Sequence, residues 1–215
     1  MNDVFAFGLF AFVSLFAVVE PLGIMPIFTS MTSTLTPREQ RSVARRAVLI
    51  AFLTLLLFAF LGQLIFKFFG ISVNSLKIVG GVIFFMIGYE MLQAKLTKTA
   101  YDEKQSPEDF GKDIAMTPLG IPMIAGPGAI ANIIVLWHAS DDSLFKKIAV
   151  LVSLTLVMAL TLLVLLFARR VSRFLGDSGN KVLLRLMGLI TMVIAVEFFF
   201  SGLKPIVRDM MAREG

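Results

Sequence analysis

The chain has 215 residues, of which 57% are hydrophobic and only 16% charged, with a mean hydropathy of +0.86 and a formal net charge of +5. A typical soluble domain carries about 25% charged residues, so most of this surface is not built to face water. The lack of cysteine removes disulfides, thiolate catalysis and cysteine-based metal sites, and one histidine, His138, cannot assemble a histidine-rich metal centre.

Apolar runs fall near 4 to 31, 47 to 69, 71 to 93, 115 to 137, 147 to 168 and 182 to 204. Each reaches the roughly 20 residues that a transmembrane helix needs. They are continuously apolar and do not alternate with period two, which selects helices over barrel strands. The expected fold is an all-α membrane protein of six transmembrane helices. The first run has no basic leader and no small-residue cleavage pattern, so it is expected to be a true span and not a removable signal.

That first run is interrupted by Glu20, Pro21, Gly23 and Pro26. As one straight helix its 28 residues would measure about 42 Å, more than a hydrocarbon core of about 30 Å. A break is expected there. The connection to the second span carries Arg38, Arg41, Arg45 and Arg46, that between the third and fourth carries Lys95, Lys98, Lys104 and Lys112, and that between the fifth and sixth carries Arg169, Arg170, Arg173 and Lys181. These cations set orientation and argue against nucleic acid as a partner. The positive-inside rule puts them in the cytoplasm and both termini in the periplasm. His138, next to Trp137 at a span end, reads as part of an aromatic belt.

The fourth run is broken in the same style. Pro-Leu-Gly-Ile at 21–24 recurs at 118–121, followed by Pro122 and by Gly126-Pro127-Gly128. In addition Gly81 and Glu90 of the third run match Gly188 and Glu197 of the sixth at an offset of 107. Three spans per copy is an odd number, so the second copy enters the membrane the other way up. The expected plan is two inverted three-helix repeats, 1–93 and 115–215, joined by a cytoplasmic loop at 94–114, with broken helices in spans 1 and 4. That plan is common among secondary transporters, whose interrupted helices expose backbone groups to substrate and ion. Gly80, Gly81 and Gly188 read as close-packing positions.

On these residues the sequence resembles the MarC family of bacterial inner-membrane proteins. The likeness rests on Pro-Leu-Gly-Ile-Met-Pro-Ile-Phe at 21–28, Gly62-Gln63, Phe69-Gly70-Ile71-Ser72 leading to Gly80-Gly81, Pro118-Leu119 with Ile121-Pro122, Ala125-Gly126-Pro127-Gly128 and Arg185-Leu186-Met187-Gly188. The resemblance implies a six-span inner-membrane protein related to the LysE-type exporters, some of whose relatives are described as transporters of small neutral amino acids. This chain departs from the family pattern in having glutamate at positions 20 and 197, where Asn or Asp and Gln are usual.

The expected activity is secondary transport of a small polar metabolite of the neutral amino-acid type, coupled to protons or sodium, with no further cofactor and no metal. The candidate substrate and ion site comprises Glu20, Pro21, Gly23, Pro118, Gly120, Gly126, Gly128, Asn132 and Glu197. No catalytic residue is expected: the Gly-Pro-Gly stretch lacks the Lys-Ser/Thr of a phosphate loop, and no serine elbow occurs. Glu20 is read either as a coupling group or as a cap on freed backbone donors, Glu197 either as lining the pathway or as lying outside it, and Glu90 as interfacial. An intramembrane hydrolase using Glu20 and Glu197 as acid and base, and a non-transporting scaffold, are the alternatives. Expected partners are the substrate, membrane lipid and a second copy in a homo-oligomer.

Overall fold

A computed structural model describes residues 2–93, 106–140 and 143–214, and among them every regular element is helical. Helices α1 (Asn2–Val19) and α2 (Pro21–Met31) form the first span. They are followed by α3 (Pro37–Phe69), α4 (Val73–Leu92), α5 (Pro107–Ile114), a wide irregular helical segment at Ala115–Ile124, and α6 (Pro127–His138). Leu144–Glu214 is helical apart from one residue, Gly176, at φ 66° and ψ −179°. Its 71 residues would extend about 107 Å as a single rod, so the chain divides there into two spans, α7 (Leu144–Gly176) and α8 (Ser178–Ala212). Glycine takes this positive φ without the Cβ penalty, and Asn180 Nδ2 donates to Ser172 O and Oγ across the turn.

Five helices are thus long and apolar enough to cross a bilayer, and Glu108–Ile124 with Pro127–His138, bent by 56°, passes the same test only as a pair, so the described residues hold five crossings, or six where the bent pair counts as one broken span. The break in the fourth span lies where the prolines require it. Thr117 and Ile121, which precede Pro118 and Pro122, have extended backbone (φ −134° and −135°), because proline's ring keeps the residue before it out of the α region. In the first span the break is narrower than expected. Only Glu20 is non-helical; Pro21 occupies the first helical turn, where its missing N–H is harmless, and α2 continues through Gly23 and Pro26.

The second span starts ten residues earlier than its apolar run. Thr36 caps α3 with a reciprocal box: its hydroxyl accepts from Glu39 N, its own N–H donates to Glu39 Oε2 at 2.7 Å, and Pro37 follows at the first helical position. Arg38, Arg41, Arg45 and Arg46 therefore lie on helix rather than in a loop. Residues 106–114, expected in a connecting loop, likewise belong largely to α5, capped by Ser106. Lys95, Lys98 and Lys104 lie outside the described residues.

Two groups of contacts identify the ends of the bundle. Arg41 and Arg45 face Arg169, Arg170 and Arg173 across one groove, and Arg46 approaches Glu108 at 3.9 Å. The start of α3, the start of α5 and the end of α7 are gathered at that end. At the other, Lys146 pairs with Asp3 at 3.5 Å, and Lys147 lies over the Trp137 ring.

The tightest helix contact joins α4 and α8. A Cβ placed on Gly81 would lie 2.7 Å from Ala195 O, and one on Gly188 would lie 2.7 Å from Gly88 O. These two contacts exchange when 107 is added to the α4 position and subtracted from the α8 position: 81 becomes 188, and 195 becomes 88. Pairing of low α4 numbers with high α8 numbers makes the helices antiparallel. The core between the spans holds Leu15, Leu55, Met91, Leu119, Ile133 and Leu154, each almost fully buried. Large side chains on the outer faces, such as Leu53, Leu64 and Val193, are more than half exposed, as suits contact with lipid.

Candidate functional site

The break between α1 and α2 is made by one residue. Glu20 has φ 49° and ψ 59°, the one positive φ outside glycine among the described residues. A non-glycine residue in this region costs of order 1–3 kcal/mol and persists only where its surroundings impose it. Here its N–H still donates to Phe16 O at 3.0 Å, and its carbonyl accepts from Gly23 N at 2.9 Å and Ile24 N at 3.3 Å. The chain changes direction without orphaning these main-chain groups. The carboxyl makes no cap on α2. It lies over Gly23, where a Cβ would come within 2.8 Å of its Cδ, and reaches Thr191 Oγ1 on α8 at 3.2 and 3.4 Å.

Thr191 is buried and also donates to Met187 O at 2.9 Å. A hydroxyl has one hydrogen, so it serves either the main chain or the carboxyl. An ionised Glu20 accepts only, and requires Thr191 to turn to it. When Thr191 stays on Met187 O, the contact is a hydrogen bond only if the Glu20 carboxyl carries its own proton.

Beside this pair is a cavity of about 30 Å³ lined by Val18, Val19, Glu20, Gly23, Ile24 and Ile27 of the first span, Phe84, Ile87 and Met91 of α4, Met123 of the bent segment, and Thr191. Both broken segments thus reach one cavity. It has room for about one water, whereas pockets for small organic ligands start at about 300 Å³. In this conformation the site is closed.

The other candidate residues are distributed around it. Pro21 is buried at the start of α2. Gly126 and Gly128 serve packing: a Cβ on the first would meet the Phe84 ring at 2.8 Å and Pro122 O at 2.6 Å, and one on the second Val18 and the Phe198 ring. Gly120 similarly admits Ile50 and Ala115 O, and Pro118 is half-buried in the bent segment. Asn132 lies one helical turn beyond Gly128. Its Oδ1 accepts from Ser14 Oγ at 3.0 Å, while its Nδ2 is buried with no hydrogen-bond partner. Glu197 is exposed and does not line the cavity; six residues beyond Thr191, it is turned about 240° around α8. Glu90 is also exposed.

Thr191 and Ser14 are the residues that sequence reasoning undervalued. Ser14 is a polar residue in an otherwise apolar run, which was its available signal. Thr191 had none beyond its hydroxyl, because its importance comes from a partner 171 residues away.

A family model described as "MarC family integral membrane protein" matches residues 5–207. The UPF0056 membrane protein YvbG of Bacillus subtilis is 40% identical over 203 residues, covering 93% of this chain and 95% of the relative. A UPF0056 membrane protein of Archaeoglobus fulgidus is 34% identical over 193 residues, with 90% of each chain covered. One from Buchnera aphidicola subsp. Schizaphis graminum is 36% identical over 200 residues, with 93% of each covered. No solved structure matches the chain. This chain belongs to the MarC family of integral membrane proteins.

Proposed function

We propose that the protein is a secondary transporter, not an enzyme, that moves a small polar metabolite of the neutral amino-acid class across the bacterial inner membrane, driven by protons or sodium. The observation that carries this reading is Glu20: a carboxyl at a strained helix break, among apolar side chains, facing a cavity shared by both broken segments and touching one hydroxyl. A charge at membrane depth costs about 2.5–3.5 kcal/mol on insertion scales, and such residues commonly mark ion and substrate pathways. The single hydrogen of Thr191 makes this contact sensitive to whether Glu20 holds a proton. A bound sodium ion could take that proton's place.

The closed cavity implies that α2 and Ala115–Ile124 must part to admit substrate. The exchange of the Gly81 and Gly188 contacts under an offset of 107 supports an inverted-repeat relation between residues 1–93 and 115–215. The arginine-rich end is then cytoplasmic by the positive-inside rule and both termini are periplasmic. The hydrolase alternative receives no support, because its proposed second carboxylate, Glu197, faces away from the Glu20 cavity.

The test is uptake and counterflow of radiolabelled small neutral amino acids in proteoliposomes, with and without pH and sodium gradients. Glu20→Gln keeps the side chain's shape but removes titration, so gradient-driven accumulation should be lost while exchange persists. Uphill uptake by this variant at the wild-type rate, with the same pH and sodium dependence, would remove Glu20 as the coupling group. Failure of the wild type to exchange any of the amino acids would refute the substrate class.

A further inference from the structure

At the cation-rich end, five arginines border one groove. Arg41 and Arg45 lie one turn apart near the start of α3, and Arg169, Arg170 and Arg173 lie in the last turns of α7. The groove has a volume of about 520 Å³, and its apolar wall includes Phe28, Leu163, Leu166 and Phe167. None of the five arginines forms an ion pair with a carboxylate among the described residues; the pairs present there use Arg46, Lys112 and Lys146. The Arg170 guanidinium instead sits 5.2 Å from the centre of the Phe167 ring.

Five cations with no ion pair among the described residues, gathered around one concavity, repel each other and set up a positive potential that attracts an anion. Guanidinium forks match phosphate oxygens in bidentate geometry. The form of the groove narrows the choice of anion. Its wall is apolar, and Leu163 and Phe167 remain 49% and 48% exposed on a helix that crosses the bilayer. The groove therefore opens sideways to lipid, where one molecule can offer a phosphate to the arginines and a hydrocarbon chain to the wall.

We propose that this groove binds the headgroup of an anionic phospholipid from the surrounding bilayer, with Arg41, Arg45, Arg169, Arg170 and Arg173 around the phosphate and an acyl chain along Leu163 and Phe167. Such a lipid bridges α3, in the first half of the chain, to α7, in the second. The inference does not depend on transport.

The test uses the full-length protein in neutral detergent, with bound lipid counted by native mass spectrometry and thermal stability followed as phosphatidylglycerol, phosphatidylcholine or inorganic phosphate is added. Phosphatidylglycerol should bind and raise Tm, while phosphatidylcholine and millimolar phosphate should not. The double variant Arg41→Gln/Arg173→Gln should bind phosphatidylglycerol at least tenfold more weakly. Lys146→Gln/Lys147→Gln, an equal charge change at the opposite end, should bind it like wild type. If the glutamine pair at the groove does not fold, Arg41→Lys/Arg173→Lys keeps the orienting charge and should still weaken binding several-fold, because lysine lacks the fork. The proposal is overturned if the two lipids bind alike, if free phosphate stabilises as well as the lipid, if the opposite-end variant loses as much affinity, or if the groove variant that folds binds like wild type.

Discussion

Adding one methyl group to Gly81 or to Gly188 tests the contact that holds the two halves of the chain together. At Gly81 the new Cβ would lie 2.7 Å from Ala195 O and 2.9 Å from Phe199 N; at Gly188 it would lie 2.7 Å from Gly88 O and 2.8 Å from Leu92 N. Ordinary contact begins at 3.4 Å, so α4 and α8 must separate by about 3.4 − 2.7 = 0.7 Å at either point. The obstacles are main-chain atoms and cannot move aside by changing rotamer. Overpacking of this kind costs typically about 1–3 kcal/mol, and we expect about 2 kcal/mol from each alanine. The two contacts fall at Gly81 and Gly88 of α4, seven residues or about 10 Å apart, and distant sites usually add. Here the helices are stiff, and one separation accommodates both methyl groups, so the double variant should cost well under 4 kcal/mol. Gly8→Ala is the control: its Cβ would lie 3.4 Å from Ala149 Cβ, and its effect should stay within about 0.5 kcal/mol. Equilibrium unfolding in mixed micelles gives all four values. Neutral single variants would refute backbone contact between α4 and α8, and full additivity would refute their moving as one unit.

Thr191→Val preserves volume but removes the hydroxyl 3.2 Å from Glu20, and should lower gradient-driven transport about tenfold, the equivalent of a hydrogen bond of about 1.4 kcal/mol, while Tm changes little; a full wild-type rate and pH profile would remove Thr191 from the site. Thr36→Ala should destabilise the start of α3 by about 1 kcal/mol, read as faster amide exchange over its first turn. A C-terminal reporter active only in the cytoplasm should stay silent, and strong signal would reverse the assigned orientation.

Most of the architecture was legible because hydrophobic length and proline chemistry act locally. The five long apolar helices and the bent pair follow from runs of about 20 apolar residues, and the second break from Pro118 and Pro122 acting on Thr117 and Ile121. The early start of α3 was equally local. The Thr36-Pro37-Arg38-Glu39 signal was present, but hydropathy alone dates a span from its first apolar residue and misses a polar first turn. Pro21 misled for a different reason: the Glu20 break already provides the start that Pro21 needs, and α2 then carries Gly23 and Pro26 in its interior. Glu20 itself was legible as a carboxylate in an apolar run. What it touches was not, because Thr191 is brought to it by packing of α8, and the same helix rotation turns Glu197 outward. No periodicity within either segment encodes that rotation.

Main-chain contact along α4 and α8 also assigns the moving parts. Helices touching at Gly81, Gly88 and Gly188 have no side-chain cushion in which to slide, so in the proposed transport they would serve as a fixed beam. Under the transport proposed above, opening of the Glu20 cavity would fall to the elements with single-residue joints, α1 and α2 at Glu20 and the bent segment at Thr117 and Ile121. Spin labels on the exposed positions Val79 of α4 and Val196 of α8 should hold one distance distribution in every condition, while a label on exposed Leu22 of α2 should change its distance to either.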